Sequence, residues 1–77
     1  MNVQGRIADA ETLGLFLQQG RLVKGLSQRE LAAQLGISQR WVSEMEAGKP
    51  GKLMDRLFAM MRATGVTLVG ELETTDA

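Results

Sequence analysis

The chain has no cysteine, no histidine and no tyrosine, and these absences exclude several classes of function. Without cysteine it cannot form a disulfide or use a thiol nucleophile, and without cysteine and histidine it lacks the usual zinc ligands. No glycine-rich phosphate-binding loop occurs, and the carboxylates lie at positions where structural or exposed roles are expected. We therefore predict no enzymatic activity, no metal and no cofactor.

Long apolar segments are also missing. The N-terminus has no apolar run of signal-peptide length, and no stretch approaches a membrane span, so we expect a cytoplasmic location without membrane association. With 77 residues the chain should form one domain. That size is near the lower limit for a self-sufficient core, and association with a second copy would help it.

Charge is unevenly distributed, although the formal net charge is zero. Residues 21–62 carry eight basic and four acidic side chains, whereas the flanks carry one basic and five acidic ones. The middle of the chain is therefore basic and both ends are acidic. This polarity suits one face for DNA and another face for different contacts.

Two short helices separated by a tight turn are predicted between residues 27 and 49. Ser27 is a helix N-cap, and Glu30, three residues later, completes a capping box. Gly36 ends this helix because glycine enters the left-handed conformation without steric cost, and Ile37 anchors the turn in the core. Ser38 then caps the second helix. The layout is typical of a helix-turn-helix, whose second helix lies in the major groove of DNA.

Two further helices flank this motif. The first is predicted to begin at Asp9 or Ala10, and Gly14 and Gly20 within it would permit the close approach of another helix. The last is predicted from about residue 53 to residue 63, and it has more apolar residues than one core-facing side needs. The surplus indicates a second apolar contact, such as a subunit interface.

A strand is predicted at residues 66–72, where Val66, Leu68 and Leu72 alternate with polar residues. A single strand cannot satisfy its own backbone groups, and the simplest solution is antiparallel pairing with the same strand of a second copy. The alternative is pairing with residues 3–8 of the same chain. The domain organisation predicted with the dimeric pairing is a flexible arm at residues 1–8, a helix-turn-helix DNA-binding domain at 9–65, a dimerisation strand at 66–72 and a disordered tail at 73–77.

Residues 27–38 read SQRELAAQLGIS, and this run resembles the helix-turn-helix of the phage-repressor class, the Cro/CI or Xre family. The resemblance covers about residues 13–64. It implies an all-α, lambda-repressor-like four-helix domain with a helix-turn-helix, here followed by the short C-terminal β-strand. It also implies a partly buried ion pair between Arg21 on the first helix and Glu46 near the end of the recognition helix.

The recognition helix is predicted over residues 39–47, with its N-terminal side chains at the base edges. Gln39 and Arg40 are the expected readers, because glutamine pairs bidentately with adenine and arginine with guanine. Ser43 and Glu44 lie one turn later and still reach the groove. Glu44 would accept a hydrogen bond from cytosine or discourage wrong sequences by repelling phosphates, and an exposed charge without a DNA contact is the alternative.

Phosphate contacts are expected around the motif, since helix N-termini attract phosphate. In the resembled family the residue matching Gln28 commonly bonds a phosphate and braces the first recognition-helix glutamine, here Gln39. The other phosphate candidates are Ser38, Lys49 and Lys52, with Lys24 and Arg29 as weaker ones. Trp41, the only tryptophan, has three alternative roles: packing on the domain, touching a sugar or thymine methyl group, or contacting a partner protein.

The end of the chain is similar to that of HipB-type antitoxins. The likeness lies in SQRWVSEMEAGK at residues 38–49 and GVTL at residues 65–68. Between these segments it also includes Gly51, Lys52, Leu57, Met60 and Met61. The likeness implies a bacterial, nucleoid-associated repressor that forms a homodimer through the strand and binds an inverted repeat in double-stranded DNA to control its own operon. It further implies a HipA-type serine/threonine kinase toxin as partner. The alternatives are a stand-alone regulator without a toxin and a protein-interaction module that has lost DNA binding.

Overall fold

Four helices and a two-stranded sheet form the fold in this computed structural model, which describes residues 1–49 and 51–74. The elements in chain order are β1 (Asn2–Ile7), α1 (Ala10–Val23), α2 (Gln28–Leu35), α3 (Gln39–Glu46), α4 (Lys52–Thr64) and β2 (Leu68–Glu73). The predicted four-helix domain is confirmed. Among the described residues, no helix is long and apolar enough to cross a membrane.

Local side-chain chemistry sets the limits of the helices. The Asp9 carboxylate accepts a hydrogen bond from the backbone N–H of Thr12 at 2.7 Å and starts α1. The hydroxyl of Ser27 accepts from the backbone N–H of Glu30, whose carboxylate accepts from the backbone N–H of Ser27 in return. This is the predicted capping box at the start of α2. Gly36 ends α2 in the left-handed conformation, with φ at 69°, as predicted.

The N-terminal segment is a strand, so the prediction of a flexible arm at residues 1–8 is wrong. β1 and β2 pair antiparallel, with Val3 opposite Leu72, Gly5 opposite Gly70 and Ile7 opposite Leu68. The structure therefore adopts the alternative in which the C-terminal strand pairs within its own chain. The expectation that Val66, Leu68 and Leu72 need a second copy is corrected, because Leu68 and Leu72 have partners in β1 and Val66 precedes β2.

The C-terminal strand also extends further than predicted. Glu73 belongs to β2, and Thr74 donates hydrogen bonds from its backbone N–H and its hydroxyl to the carbonyl of Met1, at 2.8 and 2.7 Å. The prediction of a disordered tail is therefore wrong for Glu73 and Thr74. Residues 75–77 of that predicted tail lie outside the described residues.

Two facing glycines make room for an aromatic ring between the sheet and α1. Gly5 and Gly70 are direct cross-strand partners. A Cβ atom would lie 2.9 Å from the Phe16 ring if placed on Gly5, and 3.0 Å from it if placed on Gly70. The ring thus covers strand backbone that glycine would otherwise leave open. This contact holds the sheet against α1.

The core lies where the sheet, α1 and α4 meet. Its buried members are Ile7, Ala10 and Phe58, and the partly buried side chains packed against them are Leu13, Phe16, Met54 and Met61. No large side chain among the described residues is completely enclosed. The core is therefore thin, as expected for a chain of this length.

Glycine also brings α1 and α3 into direct backbone contact. A Cβ atom on Gly14 would lie 2.5 Å from the carbonyl oxygen of Glu46 and 2.6 Å from that of Met45. A Cβ atom on Gly48, whose φ is 77°, would lie 2.6 Å from Cα of Glu11. Of the two glycines predicted to permit a close helix approach, Gly14 does so and fixes the C-terminal end of α3 against α1. Gly20 does not, because a Cβ atom there would meet only a side chain of β2, at 3.7 Å.

We expect Gly14→Ala to lower the free energy of unfolding by about 2 kcal/mol, because the added methyl group must displace backbone rather than a flexible side chain. Gly20→Ala in the same helix is the matched control. Its Cβ would meet only Leu72 Cδ1, at 3.7 Å, so the higher helix propensity of alanine should stabilise the fold by up to about 1 kcal/mol. Urea unfolding measures both, and two changes of the same sign would contradict the tight α1–α3 contact.

Candidate nucleic-acid interface

The turn between α2 and α3 is fixed by backbone hydrogen bonds and small buried side chains. The Ile37 N–H donates to the Ala32 carbonyl at 3.0 Å, and the Ser38 hydroxyl accepts from the Trp41 backbone N–H at 3.1 Å. Ala32 on α2 and Val42 on α3 are both buried. Small buried residues let the two helices come close, so the predicted helix-turn-helix is formed.

One side of α3 is buried and the other is exposed. Val42 and Glu46, four residues apart, are buried against the rest of the domain. The four residues predicted to contact bases are all exposed, namely Gln39, Arg40, Ser43 and Glu44. The structure therefore presents these polar side chains together on one short helix.

Two of these side chains form an ion pair with each other. Arg40 Nε donates to Glu44 Oε1 at 2.8 Å, across one turn of α3. Pairs at this spacing on an exposed helix are worth only a few tenths of a kcal/mol, so Arg40 can exchange this contact for another. The bond engages Nε, and a guanine could be bound bidentately through the two Nη groups while it persists.

A buried ion pair joins α1 to α3, between the two residues that the family resemblance implied. Arg21 Nε donates to Glu46 Oε2 at 2.6 Å, and Arg21 Nη2 donates to Glu46 Oε1 at 3.0 Å. The two side chains are 9% and 5% exposed. Arg21 Nη1 also donates to the Leu26 carbonyl at 2.8 Å, which adds the loop before α2 to the contact. A bidentate arginine–carboxylate pair fixes orientation as well as distance.

Gln28 bonds the same carboxylate. Its Nε2 donates to Glu46 Oε1 at 3.0 Å, so α1 and α2 both bind to one side chain of α3. The resemblance implied instead that Gln28 braces Gln39. Sequence reasoning missed the bond to Glu46, and no local signal would have shown it because the two residues are 18 positions apart.

The other residues predicted to contact phosphates lie on the surface of the motif. Ser38, Lys49 and Lys52 are exposed, as are the weaker candidates Lys24 and Arg29, whereas Gln28 is half-buried. The Ser38 hydroxyl accepts a bond from α3 and can still donate its own hydrogen. Trp41 is 50% exposed, so packing on the domain accounts for only part of its surface.

Hydrogen bonding holds two carboxylates in the ionised form. The side-chain bond from Arg21 keeps the pKa of Glu46 below its usual value of 4.5; burial opposes this, and the bond from Gln28 assists. The backbone bond from Ser27 likewise lowers the pKa of Glu30. Both groups therefore stay charged in mild acid, when ordinary glutamates begin to protonate.

Glu46→Gln keeps the side-chain shape but removes the charge, and we expect it to lower the free energy of unfolding at pH 7 by about 2 kcal/mol. In the parent chain, the stability contributed by Glu46 is complete above pH 4.5 and is lost as the pH falls through its lower folded pKa. The variant should lose less stability than the parent between about pH 5 and pH 3, a range that spans the usual glutamate pKa.

Denaturant titrations across this pH range measure the effect. Glu44→Gln, on the exposed side of the same helix, is the control and should change the stability at pH 7 by less than about 0.5 kcal/mol. Equal acid sensitivity of the Glu46→Gln variant and the parent would contradict the assigned role of the ion pair.

Comparisons with known proteins agree with this geometry. A family model described as helix-turn-helix matches residues 17–70. An uncharacterized HTH-type transcriptional regulator, y4dJ of Sinorhizobium fredii (strain NBRC 101917 / NGR234), is 36% identical over 56 residues, which cover 73% of this chain and 73% of the relative. No solved structure shows a significant match. The match to the family model extends over well more than half of the sequence, and the chain belongs to the helix-turn-helix family.

Proposed function

We propose that the chain is a sequence-specific DNA-binding repressor that acts as a homodimer on an inverted repeat and controls its own operon. The observation that carries this proposal is the arrangement of α3. Val42 and Glu46 on one side of the helix are buried against the domain, and the other side presents polar residues. A short helix held rigidly from behind, with polar side chains in front, suits insertion into a major groove.

Gln39 and Arg40 are the proposed base readers, with Ser43 and Glu44 one turn further along. Gln39 would bind adenine through its amide, and Arg40 would bind guanine through its two Nη groups. Trp41 follows Arg40 and is half exposed, and touching a sugar or a thymine methyl group is one of its three proposed roles. Glu44 already pairs with Arg40, so a cytosine contact from Glu44 would require that pair to open.

The phosphate contacts are proposed to come from Gln28, Ser38, Lys49 and Lys52. They would set the register and the salt dependence of binding, because each neutralised phosphate releases counterions. Two copies related by a two-fold axis would place their α3 helices about 34–36 Å apart, in successive major grooves. The location proposed is the cytoplasm, on the nucleoid.

The more specific proposal is that this repressor is the antitoxin of a HipA-type kinase. Its support is the likeness of residues 38–49 and 65–68 to HipB-type antitoxins. The leading alternative is a stand-alone transcriptional regulator, which the similarity to an HTH-type transcriptional regulator favours. An interaction module without DNA binding fits less well, because Gln28, Gln39, Arg40 and the basic middle of the chain suit DNA binding.

Binding to the DNA just upstream of the gene tests the repressor proposal. We expect salt-dependent binding that protects two half-sites. Arg40→Ala should weaken it by about thirtyfold or more, because the dimer loses two bidentate base contacts of at least about 1 kcal/mol each. Arg62→Ala removes the same charge from α4, beside the sheet, and should leave affinity within about twofold. Binding no tighter than to unrelated DNA would refute sequence-specific repression.

Co-expression with a kinase encoded beside the gene tests the antitoxin proposal. We expect the two proteins to co-purify and the kinase to inhibit growth only when this chain is absent. Arg40→Ala should retain the kinase while losing the operator, since its side chain is 88% exposed and supports no packing. A wild-type chain that binds its operator but never the neighbouring kinase would leave the stand-alone regulator as the correct description.

A further inference from the structure

α4 carries an apolar stripe that the fold leaves uncovered. Leu53, Leu57 and Met60 follow the spacing i, i+4, i+7, which places them on one side of the helix across two turns. Their exposed fractions are 79%, 48% and 67%. The stripe borders the side of α4 that buries Phe58 in the core. The apolar surface of α4 is therefore wider than the fold of one chain uses.

The accessible surface of the whole chain points the same way. It measures 5644 Å². A folded monomer of 8.4 kDa is expected to expose about 4,600 Å², so the excess is about 1,000 Å². A standard protein–protein interface buries about 800 Å² on each partner. One interface of ordinary size would thus bring the exposed surface to the expected value.

We propose that Leu53, Leu57 and Met60, the α4 stripe, form the contact surface for a second copy of this chain. Two α4 helices would pack against each other about a two-fold axis, with Leu57 near the axis. An interface of this symmetry must be complementary to itself, and a stripe of apolar side chains without a charge among them meets that condition. The charged Lys52 and Arg56 lie beside the stripe, where they would form a solvated rim.

The sheet is a poorer surface for a second copy. β2 already has β1 as its partner, so its pairing needs are met on that side within the chain. The outward face of the sheet is polar except for the exposed Val69, and on it Gln4 Nε2 donates to Glu71 Oε2 at 2.6 Å. Burying that face would remove polar groups from water without an equivalent gain.

α1 provides a matched control surface. Leu15 is 52% exposed, close to the 48% of Leu57, and it also lies inside a helix. Of the other exposed leucines in α1, Leu17 faces a different side of the helix and Leu22 lies two turns away, so neither continues a stripe from Leu15. Making the same substitution at Leu15 and at Leu57 therefore distinguishes an effect specific to the α4 stripe from the effect of changing any exposed leucine.

Cross-linking tests the geometry without disturbing the fold, because the chain has no cysteine of its own. Leu57→Cys should form a disulfide between two copies when treated with diamide, which takes up the two thiol hydrogens as the S–S bond forms. A disulfide requires Cα atoms within about 7 Å, which holds only close to a two-fold axis. Leu15→Cys should stay monomeric in the same treatment. Equal cross-linking at both positions would overturn the proposal.

Sedimentation equilibrium measures the affinity. Leu57→Ala removes apolar surface from both copies and should raise the dimer dissociation constant about a hundredfold. Leu57→Glu should give monomers. Leu15→Ala should change the dissociation constant by less than about threefold, the usual size of an effect at an exposed site. Circular dichroism confirms that each variant is folded. A Leu57→Ala variant that dimerises as tightly as the parent would refute the α4 stripe as the interface.

This inference supplies the dimer on which the proposed operator binding depends, and the two can fail separately. If the α4 stripe is the interface, Leu57→Glu should still bind a single half-site weakly while losing the tighter binding to the inverted repeat. A wild-type chain that dimerises through α4 but ignores its upstream DNA would leave the interface intact and refute the repressor. If the Leu57→Glu variant is still dimeric and still binds the operator, the α4 interface is refuted and the repressor proposal stands.

Discussion

One carboxylate, that of Glu46, holds α1 and the two helices of the motif in a fixed arrangement. It lies at the end of α3 and accepts hydrogen bonds from Arg21 on α1 and Gln28 on α2. The loss of hydration on burial offsets much of the attraction in such a pair, so its larger contribution is to orientation. The direction in which α3 points its exposed side chains depends on this contact and on the backbone approach at Gly14.

The thin core and the exposed apolar surface both follow from the short length of the chain. A chain of this length cannot enclose many large side chains, and the remaining apolar surface must stay exposed or be covered by another molecule. A dimer formed through Leu53, Leu57 and Met60 would add burial that the single chain lacks. Its stability would then depend on protein concentration. DNA affinity would depend on concentration too, because half-site pairing needs two copies.

Local chemistry made much of this fold predictable. Ser27, Glu30 and Gly36 set helix limits through contacts within a few residues, so the sequence alone predicts them. The strand at residues 2–7 was not predictable in the same way, because its partner lies more than 60 positions along and Gly5 weakens its alternating pattern. The ion pair between Arg40 and Glu44 has the i, i+4 spacing of helical salt bridges, and that spacing was a usable signal.

Because β1 pairs with β2, the sheet can form only after the four helices have been synthesised. β1 is made before the four helices, but the strand that it pairs with is made after all of them. Until then the ring of Phe16 has no sheet to cover, and Ile7 has no place in the core. The helix-turn-helix can therefore form early from nearby residues, while the sheet closes a long loop and must form last. A released chain that ends within α4 would carry both helices of the helix-turn-helix on an unfinished domain.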